Sequence, residues 1–296
     1  MNIRTFPLVF LVFCGCQLWP FENHPFQPEP DPYDPDLATT IDTSVYNSPY
    51  EVDTGEPFAT TDWIADAPST PLERGCYVVE DNFSEGMIRH IDPDTLVMTG
   101  VMPVIGFDLH SVMSLAWFDG SWLLAMDWGD RMIEVDAAGV ATVHSQSPAA
   151  LGNDTVGFWM ASELTGNGGI AERYDTLADL AADQPAQAVG LPRMWSTRGS
   201  YLNGRLWGAW HATDHLEYSP LPSAAGVGTF WPEGYDDWVY GISAFEGAIL
   251  ILDDGSAGHP TRIRHYDPWS GAEVDAWQPP FEGWSVSGLW CTSGPE

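Results

Sequence analysis

Two short apolar runs meet at an Asp-Gly pair in the stretch Leu115-Ala-Trp-Phe-Asp-Gly-Ser-Trp-Leu-Leu-Ala-Met-Asp127. Tryptophan and phenylalanine favour β-strands, and a two-residue Asp-Gly turn is typical of a β-hairpin. Similar hairpins, with Asn-Gly and Glu-Gly turns, follow at Tyr201-Leu-Asn-Gly204 and Ala244-Phe-Glu-Gly247. The stretch therefore predicts an antiparallel β-fold that is built from a repeated hairpin.

The hairpins recur at a regular spacing along the chain. Gly204 and Gly247 are 43 residues apart, and Gly120 precedes Gly204 by 84 residues, or two spacings of 42. Met160-Ala-Ser-Glu-Leu-Thr-Gly166 fills the missing position as a weaker copy of the first strand and its turn. A shared ending marks the third strands, in Met87-Ile-Arg-His-Ile-Asp-Pro93, Ile263-Arg-His-Tyr-Asp-Pro268 and, more loosely, Met132-Ile-Glu-Val-Asp136. These repeats predict a four-stranded antiparallel unit of about 44 residues.

Units of this size stack radially in β-propellers. Ser285-Val-Ser-Gly-Leu-Trp-Cys-Thr-Ser-Gly294 has the pattern of a first strand, whereas Gly75-Cys-Tyr-Val-Val-Glu-Asp81 has that of a second strand. One blade is therefore assembled from both ends of the domain. Equivalent glycines are Gly75, Gly120, Gly166, Gly204, Gly247 and Gly294.

The five intervals between these glycines predict an all-β domain over residues 74–296, namely a five-bladed β-propeller whose ring is closed by the N- and C-terminal strands. A β-sandwich, or a six-bladed ring with one degenerate unit, is the alternative architecture. Asp175-Thr-Leu-Ala-Asp-Leu-Ala-Ala-Asp-Gln184 has helix-like apolar spacing, which indicates a small helical insertion.

The first sixteen residues have the pattern of an export signal. Arg4 supplies one positive charge, and the segment from Phe6 to Phe13 is apolar apart from Pro7. This apolar stretch is too short to span a bilayer. A plain signal peptide that is cut nearby, or a buried hydrophobic N-terminus, would also account for it.

The end of this segment, Phe13-Cys14-Gly15-Cys16-Gln17, resembles the lipobox of bacterial lipoproteins. The resemblance implies a signal peptide over residues 1–15 and lipidation of Cys16, so that the chain would be anchored to a membrane. Two or three acyl chains, as the resemblance implies, anchor a protein stably, whereas one chain is marginal. Gln17 after the cysteine implies retention in the outer membrane of the cell envelope.

Residues 16–73 are predicted to form an extended, disordered linker that serves as a tether. Between positions 17 and 73 there are twelve acids and ten prolines but no Lys or Arg. The run Pro28-Glu-Pro-Asp-Pro-Tyr-Asp-Pro-Asp36 disfavours helices and paired strands, because proline lacks an amide donor and the acids repel one another. A calcium-binding tail is the alternative, but the Asp-x-[Asp/Asn]-x-[Asp/Asn]-Gly pattern with its distal Glu is absent.

The two remaining cysteines support closure of the ring. Cys76 and Cys291 fall on neighbouring antiparallel strands of the composite blade, beside the same turn. In an exported compartment a disulfide bond is the expected state of such a pair. Two unpaired buried thiols are the alternative.

The charge balance excludes two classes of partner. The 42 Asp and Glu residues outnumber the 10 basic residues, all of them arginine, and the formal net charge is −32. Such a chain cannot neutralise a run of phosphates, so nucleic acid is excluded, and a basic patch for anionic lipids is not expected. The predicted membrane contact is the lipid on Cys16.

One face of the predicted ring collects acids and histidines. In a propeller, the loops that enter the innermost strands lie on the same face as the loops between second and third strands. Candidate metal ligands in these loops are Asp108, His110, Asp127, His211, Asp237 and Asp254. Further acids there are Asp81, Asp130, Asp214, Asp236, Asp253 and Glu282.

Converging carboxylates and imidazoles could hold a divalent cation such as Ca²⁺ or Zn²⁺, and crowded carboxylates raise one another's pKa values, which suits a general base. A solvated acidic face explains the same pattern, since 42 of 296 residues are acidic. Tryptophans near the same loops either form a stacking platform for a sugar or an aromatic ligand or pack between blades: Trp128, Trp210, Trp231, Trp238 and Trp284.

Known catalytic patterns are missing from the sequence. It contains no Gly-x-Ser-x-Gly elbow and no phosphate loop, and His211-Ala-Thr-Asp-His215 lacks the Glu of the zinc-protease motif. The chain resembles exported bacterial lipoproteins that carry a β-propeller with NHL-type and lactonase-like repeats. The repeats are architectural and imply no function, but the long tether and the missing catalytic patterns favour a non-enzymatic cell-envelope module that binds a protein or a glycan. The alternative is a metal-dependent hydrolase or lactonase, or a glutaminyl cyclase-like enzyme, that uses the acidic face.

Overall fold

The computed structural model describes residues 72–294, apart from 82–85, 108, 110, 127–130, 154–156, 163–168, 195–197, 203, 210–213, 225, 236–237, 254–259, 280 and 282–285. The predicted signal peptide, the lipidation site Cys16 and nearly all of the predicted tether lie outside the described residues. The described part is all-β except for one short helix, α1 (Leu177–Ala181). No helix in this part has the length and apolar character that a membrane span requires.

The strands form four-stranded antiparallel units, which we number I to V and give in sheet order. Unit I consists of β20 (Val286–Thr292), β1 (Gly75–Asp81), β2 (Gly86–Ile91) and β3 (Met98–Val104). Unit II consists of β4 (Val112–Phe118), β5 (Ser121–Met126), β6 (Met132–Val135) and β7 (Ala141–His144). Unit III consists of β8 (Ala150–Asn153), β9 (Phe158–Ala161), β10 (Ile170–Tyr174) and β11 (Gln187–Gly190).

Unit IV consists of β12 (Arg198–Leu202), β13 (Arg205–Ala209), β14 (Leu216–Pro220) and β15 (Gly228–Phe230). Unit V consists of β16 (Val239–Phe245), β17 (Ala248–Asp253), β18 (Arg262–Tyr266) and β19 (Glu273–Trp277). Units I, II and V are separate sheets. Units III and IV are joined into one eight-stranded sheet by parallel pairing of β8 with β12.

The predicted Asp-Gly and Glu-Gly hairpin turns are present. Phe118 pairs with Ser121 across Asp119 (φ 51°) and Gly120 (φ 85°). Two consecutive positive φ angles define a type I′ turn, whose twist matches that of the flanking strands. The Glu246-Gly247 turn has the same conformation, with φ angles of 47° and 85°.

The composite unit is confirmed. β20 pairs antiparallel with β1, and Cys76 lies directly opposite Cys291 in the register. The two cysteines form a disulfide bond, with Cα atoms 4.0 Å apart, and both are buried. The first and last strands of the domain are therefore joined by a ladder of backbone hydrogen bonds and by a covalent link.

The prediction that residues 160–166 contain a first strand and its turn is wrong. Met160 lies in β9, the second strand of unit III, so the hairpin between its first two strands lies at positions 153–158 instead. That hairpin escaped prediction because Asn153-Asp-Thr-Val-Gly157 lacks a two-residue Asn-Gly or Asp-Gly turn. The predicted helical insertion is confirmed as α1, which follows β10 and starts with Thr176 as its N-cap.

Serine hydroxyls connect the first strands of neighbouring units. The bonds are Ser287 Oγ with the Val112 N–H (2.9 Å), Ser114 Oγ with the Leu151 N–H (3.1 Å), Ser200 Oγ with the Ile242 carbonyl (2.7 Å) and Ser243 Oγ with the Cys291 N–H (2.9 Å). Between β8 and β12 the backbone ladder makes the connection instead. Four-stranded sheets whose first strands adjoin one another are the arrangement of a β-propeller and not of a two-sheet sandwich.

The hydrophobic core lies between the faces of neighbouring units. Trp122 of unit II packs with Tyr77 of unit I, and their ring centroids are 5.0 Å apart. Each of the five hydrophobic clusters among the described residues combines side chains of two adjacent units. Each sheet is consequently buried on both faces, which explains why β5 is buried along its whole length.

Candidate functional site

The predicted metal ligands cannot be placed. Asp108, His110, Asp127, His211, Asp237 and Asp254 all lie outside the described residues. Within the described ranges, no group of three or more His, Cys, Asp or Glu side chains is placed to hold a metal ion. The metal site and the enzyme functions that depend on it therefore stay predictions.

Two other acids of that predicted face are described, and both have protein partners. Asp253 is fully buried at the end of β17, and its carboxylate accepts hydrogen bonds from Nε (3.2 Å) and the backbone N–H (3.3 Å) of Arg262. Asp214 is exposed and lies 3.1 Å from Nδ1 of the adjacent His215. Asp253 therefore stabilises the β17–β18 hairpin as one half of a buried ion pair.

The predicted aromatic platform is described in part. Trp231 and Trp238 are exposed to 58% and 42%, and the Trp231 ring lies 4.7 Å from the ring of His215. Trp128, Trp210 and Trp284 lie outside the described residues. The structure thus shows two solvent-exposed indoles on the connection from β15 to β16.

The acids that end the third strands have a structural role. Asp92, Asp136 and Asp267 each accept backbone N–H bonds from the turn that follows. For Asp267 the donors are the N–H groups of Ser270 (2.7 Å) and Trp269 (3.1 Å). Such bonds favour the ionised carboxylate, so the pKa values of Asp92 and Asp267 are lowered. The repeated Asp therefore caps a turn.

Buried titratable groups lie in the packing between units. Burial lowers the pKa of His265, whose ring lies 4.2 Å from that of Trp277, and Nε2 of His265 has no hydrogen-bond partner among the described residues. Burial likewise raises the pKa values of the Tyr77, Tyr174 and Tyr266 hydroxyls. We assign these groups to packing, because their rings belong to the clusters and contacts between sheets.

A groove between units IV and V is the candidate functional site. It encloses about 230 Å³ and opens from the hydrophobic cluster that joins the two units. Its principal lining residues are Leu202, Arg205, Trp207, Ile249, Pro268 and Trp269, and small residues of β16 and β17 complete it. We call it the IV–V groove.

One wall of the IV–V groove includes Arg205 and Trp207, and both side chains pack on Tyr218. Arg205 is exposed, and its Cζ lies 4.8 Å from the ring centroid of Tyr218. Tyr218 in turn packs on Trp207, with ring centroids 4.8 Å apart, and Trp207 is only 5% exposed. Stacking on an aromatic face holds a guanidinium plane in place. The wall therefore presents an oriented cation beside an apolar surface.

The other wall carries an indole that extends into solvent. Trp269 is 90% exposed and lies in the turn between β18 and β19. Asp267 fixes this turn through its hydrogen bonds, and Gly271 ends it with a φ of 73°. Any other residue at 271 would collide with the carbonyl oxygen of Trp231. Trp269 is thus a large apolar side chain held outside the core by a rigid turn.

The carboxylates next to the groove in sequence are engaged elsewhere. Glu246 precedes the lining residue Gly247, and its carboxylate accepts hydrogen bonds from Arg74 at 2.7–2.8 Å. The carboxylate of Asp267 is held by its own turn. Neither acid neutralises Arg205.

Sequence reasoning missed the IV–V groove. Its residues come from two units and are up to 67 positions apart, from Leu202 to Trp269, so no local motif joins them. A usable signal was Trp269 itself, because tryptophan at the tip of an Asp-Pro-Trp-Ser-Gly turn has no neighbouring strand to pack against.

Comparisons with known proteins find only distant structural similarities. No family model matches the chain, and no curated protein matches it. A chain of the nidogen/laminin complex is similar with 10% identity and a TM-score of 0.47, covering 72% of this chain and 84% of that chain. The glutaminyl cyclase of Myxococcus xanthus is similar with 12% identity and a TM-score of 0.43, covering 70% and 78%. Identities and TM-scores this low transfer neither protein's activity nor its partner.

Proposed function

We propose that the chain is a non-enzymatic cell-envelope lipoprotein that presents a five-bladed β-propeller as a binding module for a glycan. In this proposal Cys16 carries the lipid, residues 16–73 form the tether, and the IV–V groove binds the sugar. The lipobox and the acidic, proline-rich composition of the tether support the first two parts.

The contacts between units support a closed ring of five blades. The five clusters join units I to II, II to III, III to IV, IV to V and V back to I. The serine hydrogen bonds and the β8–β12 ladder connect the first strands in the same cyclic order. A ring without free ends leaves no unpaired inner edge, which favours a rigid platform.

The observation that carries glycan binding is the pair of indoles in the IV–V groove. Apolar C–H faces of sugar rings pack on indole faces, and Trp269 is exposed for such a contact while Trp207 lies deeper. A volume of about 230 Å³ lies below the 300–1,000 Å³ of a drug-sized site, so the groove accepts a single ring and not a folded partner.

Glycan binding is tested with the full-length protein purified in detergent. Tryptophan fluorescence and calorimetry are recorded with a panel of neutral and acidic oligosaccharides, for the wild type and for Trp269→Ala. We expect the variant to lose about two- to twelvefold in affinity, because stacking on one aromatic ring contributes about 0.5–1.5 kcal/mol beyond the buried area. Trp238→Ala, which removes an exposed indole outside the groove, is the control.

Undiminished binding by Trp269→Ala would refute the assignment of the site, and a panel without any bound sugar would refute the function. The anchor is tested separately, by mass spectrometry of the N-terminal peptide. A peptide that begins at an acylated Cys16 supports it, whereas an unmodified peptide that begins elsewhere contradicts it.

A further inference from the structure

We infer that the IV–V groove selects a sugar ring that carries one carboxylate within an otherwise neutral glycan. This inference rests on the proposed glycan-binding function and names its ligand class. Arg205 is the residue that reads the carboxylate, and Trp269 supplies the face on which the same ring stacks.

Arg205 differs from several other arginines of the domain in its partners. Among the described residues, its only contact beyond its own strand neighbours is the Tyr218 ring, and no carboxylate pairs with it. Other arginines of the domain do pair with acids: Arg74, Arg89, Arg173, Arg262 and Arg264. In a chain with 42 acidic residues, a guanidinium without a carboxylate at the wall of a groove is a site for an external anion.

The guanidinium of Arg205 is suited to bind a carboxylate. A guanidinium binds a carboxylate through two parallel hydrogen bonds, which fixes the orientation of the ligand as well as its charge. The Cζ of Arg205 lies 4.8 Å from the centroid of the Tyr218 ring, and no acid among the described residues occupies the hydrogen-bonding groups of its guanidinium. Arg205 and Trp269 both line the groove, so we expect one sugar ring to contact the guanidinium through its carboxylate and the indole through its face.

The negative charge of the chain limits the number of charges that its ligand can carry. The formal net charge of −32 repels a dense polyanion, and at 0.1 M salt this repulsion acts over about 10 Å. A single carboxylate in direct contact with Arg205 gains a short-range bond that outweighs this field. A ligand with many carboxylates brings the others close to an acidic surface, so sparse charge is favoured.

The test uses two pairs of probes that differ in one carboxylate. The first pair is xylotriose with a single glucuronic acid and its carboxyl-reduced form, and the second is sialyllactose and its methyl ester. Calorimetry on the full-length protein is expected to show the acid of at least one pair binding about tenfold more tightly than its neutral form. In Arg205→Gln this preference disappears, while the thermal unfolding midpoint stays unchanged because the side chain is exposed.

Arg131→Gln, which removes another exposed arginine outside the groove, is the matched control and keeps the preference. Hexagalacturonate is expected to bind more weakly than the single-acid probe at 10 mM salt. The difference between the two affinities should narrow at 100 mM salt, because the Debye length falls from about 30 to about 10 Å.

Equal binding of acid and neutral forms, or a preference that survives in Arg205→Gln, overturns the inference. If the neutral forms still bind and depend on Trp269, glycan binding stands and the acid selectivity alone is wrong. If none of the four probes binds, the inference fails, and the neutral members of the wider panel then decide whether the proposed function fails with it.

Discussion

Reduction of the Cys76–Cys291 bond is expected to remove a large part of the stability of the domain. The cysteines are 215 residues apart in sequence. In the chain-entropy model a cross-link that closes a 100-residue loop contributes about 4.7 kcal/mol at 25 °C, and this longer loop raises the figure to about 5 kcal/mol. The free energy of unfolding of a typical domain is only about 5–15 kcal/mol, so the reduced protein should be only marginally stable.

The assay is equilibrium unfolding in urea, followed by tryptophan fluorescence, for oxidised wild type, reduced wild type and Cys76→Ala/Cys291→Ala. The reduced wild type keeps both sulfur atoms in the core, so its difference from the oxidised protein isolates the cross-link. The double variant adds the loss of side chains that are 0% and 9% exposed. The m-value should also rise on reduction, because a chain without the cross-link exposes more surface when it unfolds.

The reasoning would be refuted by a reduced wild type whose urea midpoint and m-value match those of the oxidised protein. A loss that appears only in the double variant would show that packing of the sulfur atoms, and not the cross-link, stabilises this unit.

Three further predictions concern the packing between units. Gly152→Ala should destabilise the protein by about 1–3 kcal/mol, because a Cβ at this position collides with the backbone of the adjoining first strand. Thermal unfolding measures this loss of stability, and an unchanged unfolding midpoint would contradict the prediction. Ser243→Ala leaves the buried N–H of Cys291 without its acceptor, so the free energy of unfolding measured in urea should fall by about 1–3 kcal/mol. An unchanged free energy of unfolding would mean that this hydrogen bond is dispensable. Burial lowers the pKa of His265 below its unfolded value of 6.5. The unfolded state therefore binds the proton more readily, and the stability of the protein should fall as the pH drops below about 6.5. In His265→Gln the fall between pH 7.5 and 5.5 should be smaller, and equal slopes in both proteins would argue against the histidine.

The sequence was most informative where one residue type has one structural use. Gly120 and Gly247 adopt positive φ angles in two-residue turns, so their spacing revealed the unit length. Cys76 and Cys291 could be paired because the repeat had already placed their strands side by side. The same use of turn glycines misplaced the repeat at Gly166, because the first two strands of unit III are not joined by a two-residue turn.

The rest of the fold and the candidate site were beyond prediction because they depend on contacts between units. Nothing in the sequence distinguishes Ser114 or Ser243 from a surface serine, although each binds the backbone of a neighbouring first strand. The parallel pairing of β8 with β12 involves two residues on each strand and leaves no periodic trace. Arg205 and Trp269 come to line one groove only when units IV and V pack together.

The composite unit also sets the order in which the domain can be completed. β1 is among the first of the described strands to be synthesised, but its partner β20 is among the last. Until β20 arrives, one edge of β1 lacks its ladder and Cys76 retains a free thiol. Pairing of this strand edge and oxidation of the thiol therefore occur together, so the accessibility of Cys76 to an alkylating reagent reports how far the folding of a newly synthesised chain has progressed.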